Sequence, residues 1–196
     1  MRQEIEVKVR VADLVTIASK LEASGCVLSD RVLQEDEIFA NFTPFDVFKT
    51  GITILRIRKS SNKILFTVKK SQTSDLDCLE REVEIDNAEE MKEAILLMGY
   101  YQAVQVKKYR QKTRYMDYEI CLDEVDELGL FVEIEKITEN EDAVKVQQEL
   151  LEILKGFGIN ELDQVKNGYD TLIYRKKVNN KNILDFNKDI FRKNTG

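Results

Sequence analysis

Histidine and tryptophan are both missing from the 196 residues of this chain, and proline occurs once, at Pro44. Without histidine there is no histidine-based catalytic triad and no imidazole metal ligand, so any metal must be held by carboxylates. Cysteine is scarce. Cys26, Cys78 and Cys121 are odd in number and lack metal-ligand spacing, which argues against a disulfide framework or a zinc site and fits a reducing, cytoplasmic setting. No apolar run approaches the ~20 residues that span a bilayer. The first ten residues, MRQEIEVKVR, alternate and are charged, so neither a secretory signal nor a membrane partner is expected.

Charge is abundant. Charged residues make up 34% of the chain, against about 25% in ordinary soluble domains. The net charge of −6 and pI near 5.0 argue against a surface built for nucleic acid, yet leave room for a local basic pocket. An apolar fraction of 43% supports one packed core. The reading is one domain over 1–176, followed by a polar, loosely held tail over 177–196 that is rich in Asn and Lys.

Period-two alternation predicts eight strands, at 2–10, 31–40, 51–59, 63–70, 79–86, 103–115, 118–124 and 130–137. Helical periodicity predicts helices at 14–24, after Asn87, and at 142–156, with Asp13 as a cap and Gly25, Gly99 and Gly156 as stops. Ser60, Ser61 and Asn62, and later Asp126 to Gly129, are hairpin punctuation, so the sheet should be largely antiparallel. Residues 41–50 read as a long loop, and there is no internal repeat.

The alternation carries charge in an unusual way. Glu4, Glu6, Lys8 and Arg10 share one strand face; Arg56 and Arg58 another; Glu80, Glu82 and Glu84 a third; Lys108, Arg110, Lys112 and Arg114 a fourth. Glu119 and Asp123 flank Cys121, and Glu133 and Glu135 close the series. These faces could simply be solvated, with helices packed on the apolar sides of an open sheet. The alternative is a closed barrel whose charged faces line a lumen about wide enough for one small ligand. Such a lumen would need counter-ions, and a polyphosphate with divalent cations supplies them: lysine and arginine grip phosphate oxygens, and paired carboxylates hold hard cations.

EIEVK at 4–8, ILRIRK at 54–59, ILFTVKK at 64–70, REVEI at 81–85, VKKYR at 106–110 and CLDEVDELGLFVEIE at 121–135, in this order, resemble the CYTH superfamily of triphosphate tunnel metalloenzymes, in particular its class IV adenylate cyclase branch. The resemblance covers roughly residues 2–175. It implies an α+β fold, a closed eight-stranded antiparallel β-barrel with helices packed outside. It also implies a triphosphate substrate such as ATP, dependence on Mg²⁺ or Mn²⁺, and compatibility with a homodimer.

Carried across residue by residue, the resemblance makes Glu4, Glu6, Glu133 and Glu135 the metal-side carboxylates. Lys8 and Glu6 become the catalytic pair, and Lys8, Arg56, Arg58, Lys69, Lys108 and Arg110 the triphosphate ligands. Alternation prefers Lys69 to Lys70 and Lys108 to Lys107. Glu82, Glu84, Asp123 and Asp36 are further acidic tunnel candidates, Asp36 equally readable as a solvated strand residue. Lys112 and Arg114 should leave toward the rim. Lys8 would serve as a general base if neighbouring cations lowered its pKa, and otherwise as a phosphate ligand.

Where class IV cyclases carry a histidine and an aromatic residue near the second strand, this chain has Gln34 and Ile38. Three functions therefore stay open: cyclisation of ATP to cyclic AMP and pyrophosphate; hydrolysis of thiamine, nucleoside or inorganic triphosphate; and polyphosphate binding without turnover.

Overall fold

The computed structural model describes the backbone of residues 2–193 and the side chains of residues 2–160 and 162–181. In chain order its elements are β1 (Gln3–Val11), α1 (Leu14–Ala23), β2 (Val32–Ala40), β3 (Thr53–Ser60), β4 (Lys63–Ser74), β5 (Asp77–Ile85), α2 (Ala88–Leu97), β6 (Tyr101–Tyr115), β7 (Tyr118–Val125), β8 (Gly129–Thr138), α3 (Ala143–Gly156), β9 (Gln164–Val165) and α4 (Tyr169–Lys193). The eight expected strands are present, β4 and β6 longer than alternation suggested.

The eight long strands form a closed antiparallel barrel in the order β5-β4-β3-β2-β6-β7-β8-β1, with β5 pairing back onto β1. That closing seam is short: Gln3, Glu4 and Ile5 face Leu79, Cys78 and Asp77. Farther along β1, the two residues of β9 take over the edge opposite Lys8 and Val9. Between the two, the Glu6 amide donates to the Leu76 carbonyl at 2.9 Å, so the β4–β5 turn keeps this edge supplied with hydrogen bonds.

Side-chain alternation then sorts each strand into two faces. Outside, Ile5, Val7 and Val9 of β1, Ile120 and Leu122 of β7, and Val132 and Ile134 of β8 pack against Ile17 and Leu21 of α1 and Val146, Leu150 and Leu154 of α3. Ala88 and Ile95 of α2 cover Phe39, Leu55 and Ile57. Each of these helices begins at a carboxylate or amide cap: Asp13 accepts from the Val15 and Thr16 amides, Asn87 from those of Glu89 and Glu90, and Asp142 from those of Val144 and Lys145. Gly25 and Gly99, just beyond α1 and α2, adopt the left-handed conformation that favours glycine (φ +86° and +85°). At α3 that conformation falls to Gly158, two residues past Gly156.

The fourth helix departs from expectation. The segment read as a polar tail from 177 onward continues α4 to Lys193, and residues 194–196 lie outside the described residues. The first turns of α4 do not lie on the outer apolar surface. Tyr169 and Ile173 pack with Ile38, Val104, Val106, Val125 and Phe131, side chains that share strand faces with the charged residues and turn apolar toward one end of the barrel. Charge fills one part of the interior, and this apolar plug closes the other. Among the described residues, no helix is long and apolar enough to cross a membrane.

Candidate active site

A cavity of about 260 Å³ runs through the charged part of the barrel. Of the residues expected there, Glu4, Glu6, Lys8, Asp36, Arg56, Arg58, Lys69, Glu82, Lys108, Arg110, Glu133 and Glu135 all line it. Alternation decided the two ambiguous lysines well: Lys70 is exposed, and Lys107 pairs with Glu35 outside at 3.3 Å. Asp36 is a buried lumen residue rather than a solvated one; it receives Nε and Nη2 of Arg58, both at 2.7 Å.

Glu84 is a correction. It is exposed and pairs with Lys63 at 2.9 Å, because β5 has left the lumen by that point and the charged face continues into solvent. Asp123 is fully buried behind the cavity wall, where it accepts from Arg110 Nε at 2.6 Å and Lys108 Nζ at 3.3 Å. Lys112 lines the rim and pairs with Glu119, while Arg114 is exposed.

Glu4, Glu6 and Glu135 converge, each offering a carboxylate oxygen within 4.8 Å of the others. They meet because Glu6 and Glu135 are register partners across β1 and β8, and Glu4 lies two residues along the same face. Crowding leaves them poorly compensated. Burial and the nearby Glu4, Glu119 and Glu6 push Glu135 up to about 8. Glu4 is also raised, chiefly by burial and despite Lys69 at 3.3 Å. Three buried-to-half-buried carboxylates with too little positive charge are the donor set that a divalent cation relieves, so the residues present fit the metal expected of them.

Glu133, expected as a fourth metal ligand, is placed elsewhere. Lys8 Nζ lies 3.0 Å from it and Arg110 donates to it. Burial alone would raise its pKa, but Arg110, Lys8 and Lys108 override this and hold it well below the usual carboxylate range. Lys8 shows the reciprocal effect: burial pulls its pKa down, and Glu133 and Glu6 more than offset it and raise it. A lysine that holds its proton so firmly lacks the condition for a general base.

Each of the six cations expected in the lumen already faces a carboxylate. Arg56 meets Glu80 at 3.2 Å and Glu82 at 3.3 Å, and Lys69 meets Glu80 at 2.6 Å. Lys69 and Arg56 overcome the effect of burial on Glu80 and lower its pKa to about 2. Lys108 is the least compensated: burial and the neighbouring Arg110 bring it down to about 8. Such a lumen has no excess of positive charge, so a polyphosphate would need cations brought with it.

Three contributors were absent from the expected site. Glu80 stood with Glu82 and Glu84 on the charged face that alternation marks, yet only Glu82 and Glu84 were carried into the candidate set. Tyr169 and Asp170 at the start of α4 line the cavity, and no spacing pattern marks them. The apolar side of the cavity, with Ile38, Phe42, Val47, Phe48 and Ile54, comes partly from the 41–50 loop.

A family model described as the CYTH domain matches residues 2–169. The chain belongs to the CYTH domain family. CYTH proteins are enzymes of the adenylate cyclase or triphosphatase type that use divalent metals, and the barrel and its carboxylate cluster match that description. An adenylate cyclase candidate of Methanocaldococcus jannaschii, MJ0240, is 29% identical over 169 residues, 85% of this chain and 95% of its own. Among solved structures, the PH1012 protein of Pyrococcus horikoshii is 26% identical with a TM-score of 0.73, over 85% of this chain and 97% of that one. HpAC1 of Hippeastrum, an adenylyl cyclase candidate described as having a dominant triphosphatase activity, shares the fold at 19% identity and a TM-score of 0.58, covering 90% of this chain and 96% of its own.

Proposed function

We propose that this CYTH protein is a divalent-metal-dependent enzyme that converts ATP to cyclic AMP and pyrophosphate in its barrel. The observation that carries the reading is the meeting, across one cavity, of the Glu4, Glu6 and Glu135 cluster with Lys8, Arg56, Arg58, Lys69, Lys108 and Arg110. It is supported by likeness to the Methanocaldococcus protein, itself named as a cyclase candidate.

Glu4, Glu6 and Glu135 would hold Mg²⁺ or Mn²⁺, which when bound supplies the positive charge that the lumen lacks. The basic side chains do the positioning. Lys69 stands beside Glu4 of the carboxylate cluster at 3.3 Å and Lys8 beside Glu6 at 3.2 Å, while Arg56 pairs with Glu80 and both Lys108 and Arg110 pair with Asp123. Together they orient the phosphate chain and stabilise negative charge as it builds on the departing pyrophosphate. Cyclisation requires the ribose 3′-hydroxyl to meet the α-phosphorus; Lys8 acts there as a phosphate ligand, since its proton is firmly held.

A second reading is hydrolysis, with water attacking the terminal phosphorus of thiamine, nucleoside or inorganic triphosphate. It is favoured by Ile38, an apolar side chain on the cavity wall where related cyclases place a residue for the base, and by the dominant triphosphatase activity described for HpAC1. Purified protein incubated with ATP, thiamine triphosphate or inorganic triphosphate, each with Mg²⁺ or Mn²⁺, separates the readings by product. Cyclic AMP supports cyclisation, orthophosphate alone supports hydrolysis, and binding with neither product leaves a non-catalytic polyphosphate module.

A further inference from the structure

Tyr169, the first residue of α4, is buried against the charged interior, and Phe131 meets its ring edge-on at 5.1 Å and 66°. Its hydroxyl donates to Asp123 at 2.9 Å. Its ring centroid lies 4.0 Å from Lys8 Nζ and 4.9 Å from Lys108 Nζ. One aromatic ring thus serves two buried ammonium groups.

A buried ammonium needs electron-rich company, and the lumen offers two kinds. A carboxylate neutralises the cation and repels an incoming phosphate. An aromatic ring attracts the cation through its quadrupole while carrying no net charge, so the positive field stays available to an anion. Lys8 has both kinds of partner, with Glu133 at 3.0 Å and Glu6 at 3.2 Å. Among the described residues, Lys108 has one carboxylate partner, Asp123 at 3.3 Å, which Arg110 also uses. The ring therefore matters most for Lys108.

We infer that Tyr169 is a positioning residue for the phosphate-binding lysines: its ring holds the Lys8 and Lys108 ammonium groups without neutralising them, and its hydroxyl steadies the Asp123 carboxylate that carries Lys108 and Arg110. The inference rests on the triphosphate reading of the site. It ties the start of α4, outside the barrel strands, to the strength of phosphate binding.

The test uses the full chain with Tyr169 replaced by phenylalanine, by 3,4,5-trifluorophenylalanine through nonsense suppression, and by leucine. Phenylalanine removes only the hydroxyl, the fluorinated ring keeps the shape but weakens the quadrupole, and leucine removes the ring. Affinity for inorganic triphosphate with Mg²⁺ is measured by calorimetry. Dissociation constants are expected to rise about threefold for phenylalanine and about tenfold for the fluorinated ring, with leucine at least as weak.

Lysine labelled with ¹³C gives an independent readout: the ε-methylene protons of Lys8 and Lys108 should show ring-current shifts in the wild type and Tyr169→Phe, and lose them in Tyr169→Leu. Equal affinity of the phenylalanine and trifluorophenylalanine proteins would overturn the inference even if the leucine variant failed to fold, as would ring-current shifts absent from the wild type. A wild-type chain that binds no triphosphate overturns the reading of the site, and this inference with it. That result is told apart because the unaltered protein is then the silent one.

Discussion

Glu133 and Glu135 stand two residues apart on β8 and face the same interior, yet they are driven in opposite directions. Glu133 is held well below the carboxylate range, while Glu135 is pushed up to about 8. Both are desolvated, so burial does not distinguish them. Their neighbours do: Glu133 sits among Arg110, Lys8 and Lys108, and Glu135 among Glu4, Glu119 and Glu6. One strand face therefore carries a structural counter-ion and a poorly compensated carboxylate side by side, and the two should respond differently to the same substitution.

The largest expected effect is at Glu133. Glu133→Ala leaves Lys8 and Arg110 buried with one carboxylate fewer, and breaking a buried pair of this kind destabilises by about 3–5 kcal/mol. Urea unfolding should show that loss with or without metal, and a stability within experimental error of wild type would contradict the counter-ion role.

Glu6→Gln should behave in the converse way. It relieves carboxylate crowding, so the fold survives. Metal-dependent turnover should fall by more than about a hundredfold, since even groups that only orient metal ligands carry 10–100-fold effects. Retention of full Mg²⁺- or Mn²⁺-dependent activity would remove the cluster from the site.

Glu135 adds a dependence on pH. Its pKa in the fold lies above that of an unfolded glutamate, so between about 4.5 and 8 the folded state binds a proton that the unfolded state has released. That contribution to stability is fully present below the unfolded value and is lost as pH rises through about 8. Thermal melts of metal-free protein should therefore show stability from this group declining across that window. Glu135→Gln, which imitates the protonated side chain, should remove the decline and gain about 1–3 kcal/mol at the alkaline end. An unchanged slope in the variant would assign the titration to another group.

How far these differences could be read in the sequence depended on what sets them. Alternation is a local property of a strand, so it placed Lys69 inward and Lys70 outward, and likewise Lys108 and Lys107, without knowledge of the neighbours. It also gave the eight strands and the hairpins that close them. The partition of Glu133 from Glu135 is not local. It depends on Arg110 of β6 reaching across β7 to Glu133, a contact between strands that are not adjacent in the barrel. Tyr169 was hidden for another reason: it follows the last long strand by some thirty residues, at the head of a helix that no sequence pattern announced. Its stripe of Tyr169, Leu172 and Ile173 is too short to mark a helix by periodicity.

The smallest expected effect lies on β5, where one charged face spans both environments. Glu80 and Glu82 meet Arg56 inside the lumen, while Glu84 meets Lys63 in solvent. Spacing two joins all three residues but does not say where the strand emerges from the barrel. Exposed ion pairs are screened and lose side-chain entropy in forming, so Glu84→Gln should leave the melting temperature and triphosphate turnover at wild-type values, within about twofold for turnover. Glu80→Gln, on the same face and equally conservative, should weaken triphosphate binding, because Arg56 and Lys69 both lose the partner that fixes their orientation. Comparing the two variants in one binding experiment locates the rim of the site on β5. A loss at Glu84 equal to that at Glu80 would move that rim one alternation outward.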